Sequence, residues 1–140
     1  MEQPTLSIQT GQCQCAGIRF QFAGEPTDAS FCHCSICRKL SGSAFAAYIE
    51  VSTAGLRIAD VQRRLASYDV TARLTKVFCG TCGTPLFTRH SSFPQFTYIS
   101  LGVLDDDGGI VPEYHQFVES KAKWYAINDD LPQFEEWPDP

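Results

Sequence analysis

Apolar residues in this chain recur in short runs rather than in long amphipathic stretches. β-Branched and aromatic residues gather in Ile18 to Phe22, Ala44 to Val51, Leu65 to Asp69, Thr75 to Phe78, Leu86 to Thr88, Thr97 to Leu101 and Tyr114 to Val118, with turn-forming residues between the runs. Runs of this length predict a mainly β domain of mostly antiparallel strands. Helical signal is local: Ser35 to Leu40 reads as a short turn of helix capped by Ser35 and ended near Gly42. A sustained 3.6-residue period is missing elsewhere. Asp105-Asp106-Asp107-Gly108-Gly109 reads as a turn. The acidic tail after Asp129 carries apolar anchors at Leu131, Phe134 and Trp137, and is expected to lie across the surface with those anchors docked.

Length and composition fit this pattern to one domain. The 140 residues, 44% of them hydrophobic, suffice for a real core, expected over about residues 8–132 of a single 1–140 domain. A formal charge of -5 disfavours nucleic acid as a partner. No run of 18 apolar residues occurs, so no membrane span is expected. The start Met1-Glu2-Gln3-Pro4 lacks the layout of a secretory signal, which makes the cytoplasm the expected address.

That address changes how the seven cysteines are read. They fall in three clusters, Cys13-Gln14-Cys15, Cys32-His33-Cys34-Ser35-Ile36-Cys37 and Cys79-Gly80-Thr81-Cys82. Cytosolic thiols stay reduced and an odd count cannot pair completely, so metal binding accounts for them better than disulfides. Zinc takes four ligands in a closed structural site and three in an open one. A clasp of Cys13, Cys15, Cys79 and Cys82 ties distant segments together and gains most from loop closure. Cys32, Cys34 and Cys37 converge within six residues and leave a fourth position free. Three other states of that cluster stay open: empty, a redox group, or closed by His33 as fourth ligand. An iron–sulfur centre fits less well, because Cys32 and Cys34 are separated by one residue rather than two. Arg38 and Lys39 follow the cluster directly and are candidates for holding an acidic substrate, or else form a solvated face. His90 and His115 stand apart from the cysteines in sequence and receive no catalytic role.

The residues Gly11-Gln12-Cys13-Gln14-Cys15, Cys32-His33-Cys34-Ser35-Ile36-Cys37-Arg38-Lys39 with Ser41-Gly42-Ser43, and Phe78-Cys79-Gly80-Thr81-Cys82-Gly83-Thr84-Pro85-Leu86-Phe87 resemble the glutathione-dependent formaldehyde-activating enzyme (GFA, centromere protein V-like) family. The likeness continues through Ser100-Leu101-Gly102 and Ser120-Lys121-Ala122-Lys123-Trp124-Tyr125 to Asp129-Asp130-Leu131-Pro132. It implies a β-tent fold, with antiparallel sheets splaying from a four-cysteine zinc site matched by Cys13, Cys15, Cys79 and Cys82. It also implies a second zinc site at Cys32, Cys34 and Cys37, whose middle cysteine swings away when glutathione arrives. The family tends to place glycine straight after the first C-x-C, whereas this chain has Ala16, which is expected to bend that turn differently.

The function this implies is that of a carbon–sulfur lyase resembling S-(hydroxymethyl)glutathione synthase, joining a thiol such as glutathione to formaldehyde or a related small aldehyde. The alternative is a zinc-stabilised module that binds glutathione or another partner without turnover. Exposed β edges also leave a homodimer open.

Overall fold

The computed structural model describes residues 7–106 and 109–138; Asp107 and Gly108, in the middle of the turn expected at Asp105 to Gly109, lie outside the described residues. Among the described residues ten strands form two sheets. β1 (Ile8–Gln12), β2 (Arg19–Ala23) and β5 (Leu56–Ala59) make a three-stranded antiparallel sheet in the order β1-β2-β5. The larger sheet joins β3 (Asp28–Cys32), β4 (Ala46–Ser52), β6 (Leu65–Asp69), β7 (Leu74–Cys79), β8 (Pro85–His90), β9 (Phe96–Ser100) and β10 (Tyr114–Gln116), in the order β10-β3-β4-β9-β8-β7-β6. Its pairings are antiparallel except that β10 runs parallel to β3. The β-tent architecture of splayed, unclosed sheets is thus present.

Alternation decides which side chains meet. In β2, Phe20 and Phe22 point inward while Arg19 and Gln21 face water. They pack on Ile49, Val51, Val77, Phe87 and Ile99, which occupy the inner face of the large sheet. Phe20 meets Phe87 edge-on with ring centroids 5.2 Å apart, and each such buried side chain contributes about 2 kcal/mol. Truncating Phe20 to alanine would cost about 3–5 kcal/mol. The residues alternating with these, Tyr48, Glu50, Lys76, Thr88 and Tyr98, are left on the opposite face of the large sheet, where they line a cavity.

Helix α1 (Ser35–Ser41) follows β3 after only His33 and Cys34. Its cap is Cys34 rather than the expected Ser35: the Cys34 sulfur accepts the Cys37 N–H at 3.3 Å. Gly42, at φ 66, ends the helix in the left-handed conformation, and its N–H reaches the Arg38 carbonyl at 2.8 Å. The acidic tail docks as a further edge beside β10, with His115 bridging Gln133 in parallel. Phe134 packs edge-on to Tyr114 and Trp137 edge-on to Phe117. None of the described helices is long and apolar enough to cross a membrane.

Candidate functional site

Two turns bring the first cysteine group together. Cys13 and Cys15 end the β1 segment, and Cys79 and Cys82 flank the turn between β7 and β8. The Cys13 and Cys15 sulfurs lie 3.5 Å apart and those of Cys15 and Cys79 3.7 Å apart, with all four ligand atoms within 4.8 Å of one another. Sulfurs about 3.8 Å apart are what a tetrahedral ion with zinc–sulfur bonds of about 2.3 Å requires. Backbone amides complete the cradle, Ile18 N–H donating to Cys13 Sγ at 3.3 Å and Cys82 N–H to Cys79 Sγ at 3.4 Å. The Thr84 hydroxyl, 3.1 Å from Cys82 Sγ, pulls that thiol down to about 5.

Arg64, which sequence reasoning missed, organises this corner. Its guanidinium donates to Cys15 Sγ at 3.1 Å, and its carbonyl accepts the Gly80 N–H. A Cβ on Gly17 would come within 2.5 Å of the Arg64 guanidinium, so a side chain there would displace it. Ala16 takes φ 62, the left-handed conformation that a glycine would adopt there at no steric cost.

The second group lies where β3 runs into α1. Cys32, Cys34 and Cys37 bring their sulfurs within 4.8 Å of one another, and this group does not include His33. His33 is turned elsewhere: its Nε2 is 2.8 Å from His115 Nδ1, and its ring packs against Phe45. Cys32 and Cys37 are buried whereas Cys34 is half-exposed. Cys32, then Cys37, then the amides that open α1 converge on Cys34 and pull its thiol well below the ordinary range, while the bond to Cys34 pushes Cys32 up. All seven cysteines are free, so two groups, of four and of three, can each hold a metal ion.

A cavity of about 440 Å³ opens on the three-cysteine group. Its floor is the outer face of the large sheet. One row of directly opposed residues runs Asp28, Glu50, Tyr98, Thr88, Lys76 across β3, β4, β9, β8 and β7. Carboxylates therefore stand at one end and an ammonium at the other. Asp28 accepts from the Tyr114 hydroxyl and Glu50 from the Thr27 hydroxyl, each at 2.7 Å. At the other end Lys76 Nζ donates to Tyr48 Oη at 2.7 Å and to Thr88 Oγ1 at 3.0 Å. Burial first, then the charge of Cys37, raises the Tyr48 phenol. Trp137 and Pro138 of the tail form part of the cavity wall.

Arg38 and Lys39 do not line this cavity. Arg38 Nε donates to the Ser120 carbonyl at 3.1 Å, and Lys39 is exposed on α1. The cation that does line it is Lys76. It could have been suspected only from β7, where it alternates with the core residue Val77.

The glutathione-dependent formaldehyde-activating enzyme family matches residues 8–120. A protein of Halomonas elongata, provisionally named a glutathione-dependent formaldehyde-activating enzyme, is 26% identical over 124 residues, covering 84% of this chain and 79% of its own length. A crystal structure of a Rhodobacter sphaeroides protein superimposes with a TM-score of 0.58 at 25% identity, covering 74% of this chain and 97% of its own. The match to the family spans both cysteine groups and every strand of the two sheets, and the chain belongs to the glutathione-dependent formaldehyde-activating enzyme family.

Proposed function

We propose that the protein is a zinc-dependent carbon–sulfur lyase that joins a thiol, glutathione in the first instance, to formaldehyde or a related small aldehyde. The observation that carries this reading is the cavity opening on three cysteines that no fourth His, Cys, Asp or Glu joins among the described residues. Zinc bound there would supply the positive charge that keeps a thiol ionised near neutral pH.

The chain's own residues do the positioning. Cys32 and Cys37 are buried and fixed, whereas Cys34 is half-exposed and has room to turn aside for a substrate sulfur. A peptide-like thiol extending over the floor meets carboxylates at Asp28 and Glu50, suited to its ammonium group. Ile36, Phe93 and Phe117 give the cavity an apolar side beside the cysteines. The thiol loses its proton, its sulfur bonds to the carbonyl carbon, and the oxygen receives the carbonyl electron pair and then a proton.

The four-cysteine group supplies four ligands of its own and serves as the structural clasp. Exchange NMR on glutathione and formaldehyde, with and without zinc-loaded protein, tests the reading. Faster interconversion with wild type and none beyond background with Cys34→Ser is the expected result. Equal rates with and without wild-type protein refute it, and tight glutathione binding without turnover would identify a binding module.

A further inference from the structure

Lys76 is a charge without an obvious counterpart. It stands half-buried in the cavity, and among the described residues no carboxylate is paired with it. An ammonium has three N–H groups and no lone pair, so it donates in every bond it makes. Two go to Tyr48 Oη and Thr88 Oγ1; the third has Cys37 Sγ at 4.0 Å, the outer limit for sulfur.

The direction of the next bond follows. Tyr48 accepts from Lys76, so its own proton is free to donate, and Cys37 Sγ lies 3.4 Å away. Both the spare N–H and the phenolic O–H therefore face the three-cysteine group. Thr88 and the β7–β8 pairing hold Lys76 in place, and its ammonium sits 4.7 Å from the centre of the Tyr48 ring.

Two preorganised donors beside a sulfur site, one of them cationic, suit an anion that forms next to sulfur. A carboxylate of the thiol substrate lies several bonds beyond its sulfur. The carbonyl oxygen of an aldehyde under attack is separated from that sulfur by a single carbon.

We propose that Lys76, backed by Tyr48, holds the aldehyde oxygen as the thiol adds; this rests on the thiol–aldehyde reading above. As the carbon–sulfur bond forms, the carbonyl π pair becomes a lone pair on oxygen, and the negative charge meets the Lys76 N–H and the Tyr48 O–H. The thiol proton has gone to solvent, and the oxygen takes one back from solvent as the product leaves. Lys76 and Tyr48 keep their own protons throughout.

Lys76→Met, Lys76→Arg and Tyr48→Phe test this in zinc-loaded protein. Lys76→Met is expected to lower kcat about 10²-fold, with KM for the thiol, glutathione affinity by calorimetry and zinc content unchanged. Lys76→Arg should recover most of the rate, and Tyr48→Phe should lose about tenfold. A second readout is the ¹³Cε resonance of Lys76, assigned by its absence from Lys76→Met. It is expected to shift with glutathione and formaldehyde together and to stay put with glutathione alone. An active wild type matched by an equally active Lys76→Met overturns the inference alone. So does a loss confined to KM or glutathione affinity, which makes Lys76 a thiol-recognition group, or a loss of zinc, which makes it a counter-charge of the cysteines. A wild type no faster than the uncatalysed reaction overturns the reading beneath it.

Discussion

His33 Nε2 lies 2.8 Å from His115 Nδ1, and His115 Nε2 lies 2.9 Å from Asp129 Oδ2. The Asp129 carboxylate can only accept, so His115 carries its proton on Nε2 and leaves Nδ1 to accept from His33. Both rings are buried. This chain of bonds ties the peptide carrying Cys32 and Cys34 to β10 and the tail. His115→Phe keeps the ring stacked on Phe31 but strands a buried N–H on His33. It should cost about 1–3 kcal/mol in denaturant unfolding and weaken zinc retention at the three-cysteine group while sparing the clasp. Unchanged stability would mean that water satisfies His33 instead.

Ala16 at φ 62 is strained where the turn between Cys15 and Gly17 needs a left-handed residue. Ala16→Gly removes the Cβ clash and should stabilise the protein by about 1 kcal/mol, seen as a raised Tm at constant zinc content. Gly11→Ala should act in the opposite direction. Its Cβ would lie 2.2 Å from the Phe20 ring and 2.6 Å from the Val103 carbonyl oxygen, an overpacking that costs about 1–3 kcal/mol.

The two cysteine groups should separate on metal removal. Cys79→Ser breaks a clasp that joins the ends of the β1 and β7 segments, and is expected to yield unfolded or aggregated chain. Cys34→Ser should fold normally and bind one zinc ion instead of two, by metal analysis of the purified protein. Arg64→Ala removes the donor to Cys15 Sγ and should ease the loss of clasp zinc to a chelator by about tenfold.

The cysteine division was legible because ligand spacing is local: one or two residues between cysteines define a turn whatever the rest of the chain does. The strands containing Phe20, Ile49 and Ile99 were legible for a similar reason, as alternation is written along each strand. β1, β3 and β5 went unread. Ile8-Gln9-Thr10-Gly11-Gln12 is nearly all polar, and it becomes a strand by pairing with β2. Asp28-Ala29-Ser30-Phe31-Cys32 lies between two partners, β4 and β10, which override its weak propensity. The cavity escaped for a deeper reason. Asp28, Glu50, Tyr98, Thr88 and Lys76 form one row only through the strand order, and strand order is a property of long-range pairing. Arg38 and Lys39 drew notice by adjacency in sequence, whereas Lys76 reaches Cys37 across 39 positions.

Tyr98 offers a pH test of that row. Burial first, then the Glu50 carboxylate opposite it, raises its phenol from the ordinary 10 to about 12. A raised folded value means that the fold favours the neutral phenol. Its contribution is whole below pH 10 and is lost as pH rises from 10 through about 12. Tyrosinate absorbance during an alkaline titration should therefore show a step near pH 12 that disappears in Tyr98→Phe, while Tyr48 and Tyr114, also raised by burial, remain late-ionising. Glu50→Gln should bring that ionisation to lower pH; no movement would place Glu50 out of electrostatic reach.

Trp137 shows how the tail bears on the site. Its ring stands edge-on to Phe117 with centroids 4.8 Å apart, and the adjoining backbone is held by Phe117 N–H to the Glu136 carbonyl and Val118 N–H to the Phe134 carbonyl. The tail is thereby pinned along β10 with Trp137 on the cavity wall, whereas Trp124, the other tryptophan, does not line it. A thiol entering the cavity changes the surroundings of one indole and not of the other. Glutathione titration should alter tryptophan fluorescence in wild type and in Trp124→Phe, and leave it flat in Trp137→Phe. Trp137→Ala removes part of the wall but no group near the sulfurs, so KM for the thiol should rise about fivefold, equivalent to about 1 kcal/mol, with kcat unchanged. A fall in kcat instead would show that the tail shields the reacting atoms from water rather than merely contacting the thiol.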